Sequence, residues 1–231
     1  MDLEQQVAGH YGRSDLEAAI LEALRVSGKN VDGLRASDLS GADEFHLGWH
    51  QATVALARDL MLGPGMCVLD LGSGIGGPAR YMGEAHHCDV TGVDLTPEYV
   101  STANALTRRC GLGDHVRFEQ ASALSLPFQA GAFARVTLIH VGMNIAEKAR
   151  LFSEARRVLE AGGLFGVYDI VRTGDGALPY PMPWAQTEET SFVEPLETYR
   201  SLLEAAGFAI ESETDRRAMC LELAARMREQ A

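Results

Sequence analysis

The chain has 231 residues, of which 46% are hydrophobic, enough for one α/β domain with a modest appendage. Its formal charge of −12 argues against a nucleic-acid partner, which needs clustered Lys and Arg, and against an anionic membrane surface. The four cysteines, Cys67, Cys88, Cys110 and Cys220, form no C-x-x-C pair, so a reduced, cytoplasmic setting is expected.

Residues 1–64 read as a helical arm or cap. The polar, acidic start at Met1-Asp2-Leu3-Glu4 is not that of a signal peptide. Ser14-Asp15-Leu16-Glu17 has the form of a capping box, and Leu16, Ile20, Leu21 and Leu24 then share one helical face. A second helix is expected from Trp49 to Leu62, stopped by Gly63-Pro64. Between the two lies Asp43-Glu44-Phe45-His46-Leu47-Gly48-Trp49-His50, too aromatic and histidine-rich for a plain linker.

From residue 65 to 231 strands and helices alternate, which predicts a doubly wound, mainly parallel α/β sheet. Strands are expected at 66–71, 89–93, 116–120, 134–139, 164–168 and 208–213. Helices are expected at 77–85, 97–111, near 146–160, at 194–206 and at about 217–229. The stretch 172–191, with Tyr180 and Trp184 among three prolines, reads as a long loop.

The most informative segment is Asp70-Leu71-Gly72-Ser73-Gly74-Ile75-Gly76-Gly77-Pro78, a strand end, a glycine-rich turn and a helix start. Gly72, Gly74 and Gly77 fit G-x-G-x-x-G, the pattern that lets a nucleotide lie against bare backbone. Asp70 separates the possible ligands. A carboxylate two places before the first glycine repels a pyrophosphate and suits a ligand with a positive charge. Asp94, closing the next strand about 20 residues further on, is placed to bind ribose hydroxyls. His86-His87-Cys88 lacks a second cluster at metal-binding spacing, so no metal site is expected.

With Gly92-Val93-Asp94, Leu126-Pro127-Phe128 and Arg157-Val158-Leu159 before Gly162-Gly163, this segment resembles the class I S-adenosylmethionine-dependent methyltransferases of the small-molecule type, close to the sarcosine/dimethylglycine N-methyltransferase-like group. The resemblance implies a Rossmann-like fold, S-adenosylmethionine as cofactor, and methyl transfer to N or O of a small-molecule acceptor by in-line displacement. It implies cofactor contacts from Asp70, Gly72, Ser73 and Gly74 at the methionine end, Asp94 and Leu95 at the ribose, and Ser122 and Ala123 at the adenine. Ser122 stands where relatives usually carry Asp. Tyr11 and Phe45 are expected over the methionine end. His140, at the carboxyl end of the fourth strand, is expected to hold the methionine amino group through its carbonyl and to serve an acceptor hydroxyl as base. His46, Trp49, Asn144, Tyr180 and Trp184 are the remaining acceptor-side candidates, and Glu188, Glu189 and Glu194 could attract a cationic amine. The family's seventh, antiparallel strand is not found here, and an uncovered sheet edge makes a homo-oligomer possible. A nicotinamide-dependent oxidoreductase and a catalytically silent cofactor-binding subunit remain as alternatives.

Overall fold

The computed structural model describes residues 15–230. In chain order the elements are α1 (Leu16–Val26), α2 (Ala36–Asp43), α3 (Trp49–Asp59), β1 (Cys67–Leu71), α4 (Gly77–His86), β2 (Asp89–Asp94), α5 (Pro97–Arg109), β3 (Val116–Gln120), β4 (Phe133–Ile139), α6 (Lys148–Val158), β5 (Leu159–Tyr168), α7 (Leu196–Ala205) and α8 (Arg217–Gln230), with single 3₁₀ turns at Gly142–Asn144 and Glu188–Thr190.

The five strands form one sheet in the order β3-β2-β1-β4-β5, every neighbouring pair parallel. This is a Rossmann-like, doubly wound sheet. β1 sits in the middle, and apart from Asp70 it is apolar: Val68, Leu69 and Leu71 are fully buried, as in a strand covered on both faces. The order reverses direction between β1 and β4, so their carboxyl ends splay apart and leave a crevice. On one face of the sheet Leu151, Phe152, Ala155 and Val158 of α6 pack with Leu69, Leu71, Val136 and Leu138. On the other, Ala79 and Met82 of α4 and Ala103 of α5 pack with Val68, Val90, Val116 and Phe118. The helices before β1 are tied to this core. Ile20, Leu21 and Leu24 of α1 share a cluster with Leu39, Ile75 and Leu106.

A buried ion pair makes the same connection with charge. Arg80, fully buried on α4, donates from Nη2 to Asp43 Oδ2 at 2.7 Å and to the Ile75 carbonyl at 2.7 Å. Its Nη1 donates to the Thr107 hydroxyl and the Ala103 carbonyl. The pair needs backbone contact at Gly77, where a Cβ would lie 2.5 Å from the Asp43 carbonyl.

The structure departs from the sequence reading in four places. Helix α2 was not anticipated, because Ala-Ser-Asp-Leu-Ser-Gly-Ala-Asp carries only a weak apolar stripe and its position rests on Leu39 and on Asp43 meeting the core. The strand expected at 208–213 does not form. Phe208 still packs against Phe165 at 5.3 Å, but residues 209–213 are exposed, and among the described residues no ladder is made on the outer edge of β5. β5 starts earlier than expected, at Leu159, with a register shift where it pairs with Phe133 to Arg135. Of the expected capping box, Ser14 lies outside the described residues, and Asp15 takes the N-cap position at φ 70° without a side-chain cap.

Candidate functional site

A cavity of 1110 Å³ opens over the carboxyl ends of β1, β2 and β4. That exceeds the roughly 300–1,000 Å³ of an ordinary small-ligand pocket, so it has room for two molecules side by side. Of the sequence candidates, Phe45, His46, Trp49, Asp70, Gly72, Ser73, Gly74, Asp94, Leu95, Ser122, Ala123, His140, Asn144 and Trp184 all line it. Tyr180 does not; it packs from behind on the Met143, Trp184 and Ala185 cluster. Glu188, Glu189 and Glu194 are likewise not part of the cavity wall, so they build no acidic mouth. Tyr11 lies outside the described residues.

The floor is the turn after β1. Gly74 has φ +53° and a Cβ placed on it would meet nothing within 4 Å, so bare backbone faces open space. Its N–H donates to Asp94 Oδ2 at 2.9 Å, while Asp94 Oδ1 accepts from the Thr96 N–H at 2.9 Å. Burial raises the Asp94 pKa above the usual carboxylate range, and the backbone bonds from Thr96 and Gly74 pull against that rise. Asp70 is buried more completely. Thr137 donates to its Oδ1 at 2.7 Å, but its Oδ2 has no hydrogen-bond partner. Burial pushes its pKa up to about 7, assisted by the negative charge of Asp94. A buried carboxylate oxygen without a donor is costly, and a cationic group in the cavity would satisfy it. Ser73 Oγ beside it is also buried without a partner. At the far end Ser122 Oγ accepts from the Leu124 N–H at 3.1 Å, closing a small turn under Ala123.

The opposite wall is histidine and aromatic. His140 follows β4 in a left-handed conformation, φ 54°. Its ring stacks on Tyr168 at 5.4 Å and meets the edge of His46 at 5.9 Å. Burial, helped by nearby His46, pushes the His140 pKa down to about 3, so the imidazole is neutral across the physiological range. Burial likewise lowers the His46 pKa, opposed by nearby Glu44. The roof is the loop from β5. Asn144 Nδ2 donates to the Trp184 carbonyl at 2.8 Å, and Trp184 Nε1 donates to Ser191 Oγ at 3.0 Å. Asn144 thus ties the turn after β4 to the Trp184 loop. Phe45 and Leu47 stand at the mouth, 69% and 44% exposed.

Sequence reasoning missed part of the wall. Thr96, Tyr99, Met143, Arg150 and Ile170 also line the cavity. Tyr99 had a signal, two residues into the helix after the ribose acid. The others are placed by tertiary packing alone.

Residues 69–167 match the family model described as a methyltransferase domain. The chain is 36% identical over 118 residues to a sterol 24-C-methyltransferase of Gibberella zeae, covering 51% of this chain and 31% of that protein. It is 30% identical over 176 residues to the erythromycin 3''-O-methyltransferase of Saccharopolyspora erythraea, covering 70% and 58%. The crystal structure of the [4+2]-cyclase SpnF superposes with a TM-score of 0.68 at 27% identity, covering 90% of this chain and 73% of that one. The chain therefore spans about a third of the first of these curated relatives and about three fifths of the second. The parallel sheet, the acid-glycine turn after β1, the acid ending β2 and the match over 69–167 agree: residues 69–167 carry a methyltransferase domain on a Rossmann-like sheet.

Proposed function

We propose that this chain transfers a methyl group from S-adenosylmethionine to a small, largely apolar acceptor held under the Trp184 roof. One observation carries the proposal: the unpartnered Oδ2 of buried Asp70 beside the open backbone of Gly74. The residues present fit the cofactor. Asp70 offers an acceptor for its ammonium, and the turn Gly72 to Gly74 offers backbone. Asp94 lines the cavity, and its carboxylate, held by the N–H groups of Gly74 and Thr96, is the acceptor offered to ribose hydroxyls. Ser122 and Ala123 stand at the adenine end. When bound, the cofactor supplies an electrophilic methyl on a sulfonium, so the protein supplies orientation and a dry site.

On the acceptor side the chain contributes shape more than charge. Met143, Ile170, Pro183, Trp184, Phe45 and Leu47 form an apolar wall, which favours a neutral or weakly polar acceptor over a cationic amine. Neutral His140 gives that wall a polar point beside the carboxyl end of β4, able to orient an acceptor hydroxyl or amine. The N-terminal helices through residue 64 act as a cap on the core, and the loop 172–191 closes the acceptor site.

The test is calorimetric titration of the protein with S-adenosylhomocysteine, followed by a screen of acceptors with isotope-labelled S-adenosylmethionine. Binding with methyl transfer to apolar acceptors is the expected result. Absence of binding by the intact chain would overturn the reading.

A further inference from the structure

The cavity's histidine wall continues outward as a chain of hydrogen bonds. His46 Nε2 lies 3.0 Å from the Trp49 carbonyl and 3.1 Å from the Thr53 hydroxyl. A carbonyl only accepts, so Nε2 carries the proton and Nδ1 holds the lone pair. Thr53 donates its own hydroxyl proton to Glu44 Oε2 at 2.6 Å, which leaves its lone pairs to receive His46. Glu44 Oε1 accepts from His50 Nδ1 at 2.7 Å. The Glu44 side chain is 2% exposed and that of His50 is 41% exposed. The series therefore starts on the cavity wall, crosses a buried carboxylate and ends in solvent.

The two cavity imidazoles are not equivalent. His46 has Glu44 Oε2 at 3.5 Å to compensate a positive charge. His140 is flanked by Tyr168 and by His46, and no carboxylate lies within ion-pair distance of it among the described residues. The charged and titratable groups facing His46 are Glu44 and His50 from its own segment, and His140 and Tyr168 from the ends of β4 and β5. Only His46 combines a free lone pair, a counter-ion and a path out.

We infer that His46 takes the proton of a hydroxyl-bearing acceptor and that Thr53, Glu44 and His50 carry it to solvent. This rests on the methyl-transfer reading. Transfer to a hydroxyl releases one proton for each methyl moved. As the acceptor oxygen bonds to the methyl carbon, the carbon–sulfur electron pair returns to sulfur. The O–H pair stays on oxygen, and the proton forms an N–H bond at His46 Nδ1. The Nε2 proton then passes through Thr53 to Glu44 Oε2. Exposed His50 gives its Nδ1 proton to water, takes the Glu44 proton at the freed Nδ1 once the carboxyl has turned, and sheds it to solvent. A shift of the His46 proton from Nδ1 back to Nε2 completes the cycle. An apolar cavity that trapped the proton would stop after one turnover; this path empties it. It also narrows the acceptor class to hydroxyl compounds, since an amine that enters unprotonated needs no base at the moment of transfer.

The first test needs no substrate. In ¹⁵N-histidine-labelled full-length protein, magnetic resonance should show His46 as the neutral Nε2–H tautomer. In Glu44→Gln, folded by circular dichroism, the His46 titration midpoint should move to lower pH while that of His140 stays. An Nδ1–H tautomer in the unaltered protein would overturn the path, and so would a midpoint insensitive to Glu44→Gln. The second test compares acceptors. His46→Asn should keep S-adenosylhomocysteine binding and lower turnover on a hydroxyl acceptor about a hundredfold or more. Turnover confined to amines would overturn the acceptor class. Because the tautomer is read without catalysis, failure of this path is distinguishable from failure of the methyl-transfer reading.

Discussion

Gly74 and Asp94 are joined by a 2.9 Å hydrogen bond from the glycine amide to the carboxylate. The acid at the end of β2 therefore fixes the turn after β1 as well as offering oxygens to a ligand. Asp94→Ala should remove both effects. With hydrogen bonds to charged groups contributing roughly 1.5–3 kcal/mol each, S-adenosylhomocysteine affinity should fall by about two orders of magnitude. Titration calorimetry on a variant whose far-ultraviolet dichroism is unchanged reads this directly. Retained affinity would mean that the ribose lies elsewhere.

Asp70 sets a pH dependence. Its folded pKa of about 7 stands above the roughly 4 of an unfolded carboxylate. Between those values the folded state binds more protons, so the Asp70 contribution is fully present below about pH 4 and is lost as pH rises through 7. Asp70→Asn should accordingly raise the melting temperature at pH 8 and leave it nearly unchanged at pH 4. A ligand ammonium beside Oδ2 favours the ionised carboxylate, so S-adenosylhomocysteine should displace a proton near pH 6. Calorimetry in buffers of different ionisation enthalpy measures that release.

The buried pair Asp43–Arg80 should be expensive to break from one side. Arg80→Met leaves Asp43 buried without its guanidinium, and loss of one member of such a pair costs about 3–5 kcal/mol. Burial already raises the Asp43 pKa against the pull of Arg80, so part of the loss should be recovered at low pH, where the stranded carboxylate is neutral. Urea unfolding at two pH values gives both numbers.

Asn144→Ala removes the donor to the Trp184 carbonyl. Global stability should change by about 1 kcal/mol, while the loop 172–191 becomes a faster site of limited proteolysis. S-adenosylhomocysteine affinity should be kept, since the loop lies on the acceptor side.

The parts of the fold and site legible in the sequence are those written locally. Strand β1, its turn and α4 occupy one run of residues, and the sequence places both Asp70 and Asp94 at strand ends where the structure has them. The glycine spacing needs no knowledge of the rest of the chain. What stayed hidden depends on contacts between distant positions. Asp43 meets Arg80 across 37 positions, and nothing near either residue announces the other. Glu44 and His50 were visible as a histidine-rich stretch, but their common hydrogen bonds require Gly48 and Trp49 at positive φ, a turn that residue types alone do not specify. The expected strand after Gly207 failed for a related reason: an extended apolar start does not make a strand without an edge to pair with.

The Asp43–Arg80 anchor has a consequence for how the protein could be re-engineered. The segment that carries Glu44, Phe45 and His46 is fastened at its root, so it offers no whole-segment gate to an incoming molecule. Entry runs past the exposed side chains of Phe45 and Leu47 and beneath Trp184. Acceptor range is then a matter of a few doorway side chains, which can be rewritten while the anchor, the cofactor floor and the chemistry behind them stay as they are.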